Sequence, residues 1–101
     1  MTNKQLIEEM HPGRTVLKDV AEPLGLSVNA LAKRLHVPSS RLNDIVRGRR
    51  GVTADTALRL ARYLRTSPQF WLNLQSAYDL KVAQFARGST INKQVRPRDA
   101  A

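Results

Sequence analysis

Residues 27–50 read S-V-N-A-L-A-K-R-L-H-V-P-S-S-R-L-N-D-I-V-R-G-R-R, two short apolar-periodic segments with a break between them. Ser27 suits an N-cap, because its hydroxyl can accept from a backbone N–H that the start of a helix leaves unpaired. Behind it Leu31, Ala32 and Leu35 recur at the spacing that buries one side of a helix, and the segment ends at His36. After a short break Pro38 opens a second segment, with Leu42, Ile45 and Val46 on one side and Gly48 closing it. On a wheel of about 100° per residue, Ser40, Asn43, Asp44 and Arg47 gather on the opposite side, flanked by Ser39 and Arg41. Two short amphipathic helices joined by a tight turn, the second with a polar and cationic face, spell a helix-turn-helix over 27–47. In such a motif the second helix enters a DNA major groove.

The charge distribution agrees with that reading. The 101 residues carry 17 Lys+Arg against 8 Asp+Glu, a formal net charge of +9, so the chain has a physical reason to seek a polyanion. From Lys33 to Arg65 nine basic residues (Lys33, Arg34, Arg41, Arg47, Arg49, Arg50, Arg59, Arg62, Arg65) are opposed only by Asp44 and Asp55. Arginine outnumbers lysine, which favours planar, bidentate recognition of phosphate or guanine. Arg59, Arg62 and Arg65 lie three apart; they read as a solvated face, with a second phosphate rail as the sharper alternative.

Working outward, Pro12 suits a first helical position, and Val16, Leu17, Val20, Ala21 and Leu24 continue at helical spacing until Pro23 and Gly25 limit the helix. Thr53 caps a fourth helix with Ala57, Leu58, Ala61 and Leu64 as its apolar positions. Ser67-Pro68 starts a fifth and longest helix, with Phe70, Trp71, Leu74, Ala77, Tyr78, Val82 and Phe85 along its stripe. Phe70, Trp71 and Leu74 are assigned to the core. Tyr78, Val82 and Phe85 are assigned to a homodimer contact, because Trp71, Tyr78 and Phe85 repeat every seven residues. No window alternates apolar and polar residues, so the class is all-α. The organisation expected is a flexible arm over 1–11, one helical domain over 12–87, and a mobile basic tail over 88–101.

Several function classes are excluded. There is no cysteine, no apolar run long enough for a bilayer and no signal-peptide core, which leads to a cytoplasmic expectation without a membrane role. His11 and His36 share no ligand spacing, and no nucleophile–base set or Gly-rich phosphate loop can be assembled. Neither an enzyme nor a metal, cofactor or small-molecule ligand is expected.

The segments H-P-G at 11–13, E-P-L-G-L-S at 22–27, N-A-L-A at 29–32, V-P at 37–38 and R-L-N-D-I-V at 41–46 together resemble the HigA/VapI antitoxins of bacteria. So do R-R-G-V-T-A-D-T-A-L-R-L-A-R-Y at 49–63, T-S-P-Q-F-W-L-N-L-Q at 66–75 and Y-D-L at 78–80, with W-L-N-L-Q the most specific of these runs. The resemblance implies a five-helix domain similar to the lambdoid phage repressors, dimeric, on palindromic operator DNA. It also implies a second partner, a HigB/RelE-like RNA-cleaving toxin that the antitoxin neutralises while repressing its own operon. Carried over by position, the DNA contacts fall on Ser27 and Asn29, on Ser39, Ser40, Arg41, Asn43, Asp44 and Arg47, and on Arg49, Arg50 and Thr53. Val28 stands where many relatives carry Gln, and His36 stands where the turn usually has Gly. The alternatives are a stand-alone repressor without a toxin, or a toxin-capping module with weak DNA binding.

Overall fold

The computed structural model describes residues 2–99; Met1 and residues 100–101, the outer ends of the expected arm and tail, lie outside them. Six helical segments follow one another, and the described residues form no strand. α1 is Asn3–Glu9, α2 runs over residues 12–24, α3 is Val28–Leu35, α4 is Ser39–Val46, α5 is Ala54–Leu64 and α6 is Pro68–Gln94. The starts follow sequence chemistry. Ser27 Oγ accepts from the Ala30 N–H at 3.0 Å, Ser67 Oγ from the Phe70 N–H at 3.1 Å, and Pro12 and Pro68 occupy first-turn positions where no N–H is needed.

α2 is not uniform. Its middle, Val16–Ala21, is a π-turn in which the Glu22 N–H donates to the Leu17 carbonyl. Pro23 lies just beyond; it has no N–H and its ring crowds the carbonyl four residues back. Widening the preceding turn relieves that conflict without ending the helix. The stop comes at Gly25, in the left-handed region at φ 67°.

The core gathers Val16, Val20 and Ala21 of α2, Leu31, Ala32 and Leu35 of α3, Leu42 and Ile45 of α4, Ala57 and Leu60 of α5, and Trp71 of α6. Burying a side chain of Leu or Ile size contributes about 1.5–3 kcal/mol, so this cluster holds α3 and α4 rigidly against the rest. Trp71 is only 1% exposed and its indole N–H donates to Thr66 Oγ1 at 3.2 Å. Phe70, assigned to the core, and Leu58, an expected apolar-stripe position, both turn outward. Phe70 is 45% exposed and meets Trp71 edge-on, and Leu58 is 59% exposed while Leu60 is buried. In each case two apolar residues lie next to or near each other on a helix, about 100° or more apart, and only one can face the core.

The two ends depart from the expected arm and tail. α6 passes through Gly88 and continues to Gln94, so 88 is not a boundary of local structure. One glycine costs a helix about 1 kcal/mol, too little to stop a 27-residue helix. At the other end α1 is a helix with a complete capping box between Thr2 and Gln5. It lies along α6, with Ile7 and Glu8 lining a cleft shared with Tyr78, Val82 and Phe85. The face assigned to a dimer contact is therefore partly covered by the chain's own N-terminal helix. A tethered segment reaches such a face at high effective concentration.

Candidate nucleic-acid interface

A close crossing of the start of α2 orients α4. Gly13, at the start of α2, is buried against the end of α4, and a Cβ there would overlap the Ile45 carbonyl. His11 caps α2 by accepting the Gly13 N–H on Nδ1 at 2.9 Å, and its ring meets Tyr78 edge-on with centroids 4.7 Å apart. Burial lowers its pKa, and the nearby Asp79 carboxylate opposes that shift. The H-P-G run thus has a mechanical meaning: a capped, glycine-thin crossing that sets α4 at a fixed height.

Between α3 and α4 the turn places His36 in the left-handed region at φ 57°, ψ 43°. A non-glycine residue there is strained, and α5 supplies compensation. Arg59 Nη1 donates to the carbonyls of Leu35 and His36, each at 3.2 Å, closing the open end of α3. Of the trio Arg59, Arg62 and Arg65, Arg59 thus keeps a partly exposed side chain while capping another helix.

The expected contact residues fall into two groups. At the N-terminal end of α4, Ser39 and Ser40 are exposed, and Asn43 donates through Nδ2 to Asn29 Oδ1 of α3 at 2.9 Å. Arg41 is half-buried, and its guanidinium bonds Asp55 of α5 at 3.2 Å. Asp55 also accepts from Arg59 at 2.8 Å, and the Arg59 hydrogen bond, followed by the charges of Arg59 and Arg41, holds its carboxyl below its ordinary value. Arg50 and Thr53 line the same cleft as Arg41. Ser27 and Thr53 are occupied as N-caps through their hydroxyls, though both residues are exposed. Arg47 stands apart, at the far end of α4, beside Glu8, His11 and Arg14. Among the described residues Arg47, Arg49 and Arg50 form no ion pair.

Sequence reasoning missed two residues that hold this surface. Asp55 counts there only as opposing charge, yet it aims Arg41. Gln75, inside the W-L-N-L-Q run, accepts the Val52 N–H at 2.7 Å and donates to Asp79 at 2.9 Å. It packs so closely that a Cβ on Gly51 would lie 2.9 Å from its amide nitrogen. The Arg49–Thr53 loop is thereby tied to α6. A polar residue within an apolar helical stripe was the available signal.

A chain folded this way can present hydroxyls, an amide and fixed guanidinium groups along one edge. Residues 17–71 match the family described as helix-turn-helix. Over 81 residues the chain is 54% identical to virulence-associated protein I of Dichelobacter nodosus, an alignment covering 80% of this chain and 75% of that protein. A solved antidote protein of the HigA family from Coxiella burnetii is 47% identical, superposes with a TM-score of 0.82, and is matched over 86% of this chain and 95% of its own. The chain belongs to the HigA antitoxin family.

A second HigA, that of Pseudomonas aeruginosa solved with the higBA promoter, is 44% identical with a TM-score of 0.85 over 88% of this chain and 97% of that one. The HigA likeness therefore extends well past the helix-turn-helix into α6. Within this HigA-family fold the chain places two non-glycine residues, His36 and Arg65, in the left-handed region at the ends of α3 and α5.

Proposed function

We propose that this protein is an operator-binding antitoxin: a homodimer that inserts α4 into successive major grooves of a palindromic operator, represses its own operon, and neutralises a HigB/RelE-like toxin in the cytoplasm. The observation that carries the reading is the edge formed by Ser39, Ser40, Arg41 and Asn43, rigidly set on the core and braced by Asn29 and Asp55. Exposed Arg49 and Arg50, without an ion pair among the described residues, flank it as cations for the phosphate backbone. The solved HigA–promoter pair supports operator binding by likeness of fold and sequence.

The test is titration of the DNA upstream of the protein's own gene at several salt concentrations, with co-expression of the adjacent small reading frame as the second arm. The expected result is a half-site spacing of about 34 Å and a log–log salt slope of about −0.9 per neutralised phosphate. Relief of the neighbour's toxicity by this chain is expected in the second arm. Equal affinity for random DNA would remove the operator reading, and toxicity unchanged by co-expression would remove the antitoxin one.

A further inference from the structure

Asn29 and Asn43 sit on different helices and meet across the reading edge. Asn43 Nδ2 donates to Asn29 Oδ1 at 2.9 Å and to the Ser39 main-chain carbonyl at 2.9 Å. An amide nitrogen carries two hydrogens, so both are spent within the protein. The Ser39 carbonyl can only accept; turning the Asn43 amide over would set oxygen against oxygen. The backbone thus fixes which end of the side chain faces inward. What Asn43 keeps free is Oδ1, an acceptor, and what Asn29 keeps free is Nδ2, a donor.

We propose that this pair sets the hydrogen-bond polarity of the reading edge: Asn43 recognises an exocyclic amino group through Oδ1 alone, while Asn29 holds a phosphate oxygen through Nδ2. The proposal rests on the operator-binding reading and sharpens it. A bidentate asparagine–adenine pair needs an amide N–H for N7 as well as Oδ1 for the N6 amino group, and here that N–H is taken. In the major groove only adenine N6 and cytosine N4 offer an amino donor; guanine and thymine present acceptors. Asn43 therefore accepts adenine or cytosine and rejects the other two, and adenine N7 plays no part.

The experiment selects duplexes from a random pool with the wild-type protein and with Asn43→Ala, then scans the wild-type site with base analogues. One position, lost in Asn43→Ala, should hold adenine or cytosine. If adenine, 7-deazaadenine there should bind as well as adenine, while purine, which lacks the amino group, should bind about tenfold more weakly, the loss of one good base contact. If cytosine, its 4-unsubstituted analogue should lose the same factor. Asn29→Asp keeps the acceptor that Asn43 needs but removes the phosphate donor, so affinity should fall on all sequences with base preference unchanged. Guanine or thymine at the Asn43 position, an equal loss on 7-deazaadenine and purine, or altered preference in Asn29→Asp would overturn the proposal. The analogue scan uses wild-type protein throughout, so it decides the matter even if a variant folds poorly. A wild type that enriches no sequence at all removes the operator-binding reading itself, an outcome distinct from a motif read with the wrong polarity.

Discussion

His11 joins stability to pH through a single ring. Its imidazole is buried, caps α2 and packs on Tyr78, and burial lowers its pKa against the opposing pull of Asp79. The unfolded chain takes up a proton near the ordinary value of about 6.5, while the folded chain resists it until lower pH. The contribution is therefore complete above that value and declines as pH falls from there toward the lowered folded value. Replacing His11 by Asn exchanges the Nδ1 cap acceptor for an amide oxygen and removes the titration. Thermal melts should show a flatter pH dependence for the variant below neutrality, with about 0.5–1.5 kcal/mol lost at pH 7 from the ring contact. Gly13→Ala is the harsher change at the same crossing. Its methyl must displace the Ile45 backbone, and overpacking of this kind costs about 1–3 kcal/mol, readable as a lowered denaturant midpoint with unchanged slope. Neither residue's role was legible beforehand, because His11 sits in a stretch poor in apolar periodicity and a glycine's crowding is visible only once both backbones are placed.

At the scale of elements, Asp55 and Gln75 couple helices that periodicity treats as separate. Asp55→Asn releases Arg41 and Arg59 from their shared carboxylate. Binding to non-operator DNA should strengthen, and its log–log salt slope should steepen by up to about 0.9, as measured by fluorescence anisotropy across a salt series. The melting temperature should hardly move, since Asp55 is exposed and exposed ion pairs contribute little to stability. Gln75→Ala acts in the other direction: the Val52 N–H loses its acceptor, and an unsatisfied buried donor costs about 1–3 kcal/mol. The Arg49–Thr53 loop is then free to wander, so operator affinity should fall on all sequences alike. Of the elements themselves, α3 and α4 could be read to within a residue, because cap, apolar spacing and break all agree there. The π-turn of α2 and the passage of α6 through Gly88 could not. Each turns on whether a local penalty ends a helix or is absorbed by it, and packing decides that.

At the scale of the molecule, the long axis reaches 53 Å, and α6 accounts for much of it while contributing only Trp71 to the buried set. Its outer half leaves Leu80, Phe85 and Ile91 exposed, with α1 laid along the Tyr78–Phe85 section. Since α1 buries no side chain fully, deleting residues 2–9 should lower the melting temperature by only a few degrees and leave operator affinity intact. Sedimentation of the deleted chain then reports on the dimer contact assigned to Tyr78, Val82 and Phe85. Self-association tighter than that of the full chain would support that contact, and self-association unchanged from the full chain would remove it.

The helical class, the positions of α3 and α4, the concentration of positive charge between Lys33 and Arg65, and the family were all legible in the order of residues. All four rest on short-range information: hydrogen-bond caps, spacing of apolar residues, and the residue types at a few offsets. It took the packed helices to show that Trp71 rather than Phe70 enters the core and that Arg59 closes α3. The same holds for the aiming of Arg41 by Asp55, the inward donors of Asn43, and the seat of α1 on α6. These are contacts between groups distant in the chain, set by which faces meet when the helices pack, and no local periodicity encodes which partner a polar side chain will find across that gap.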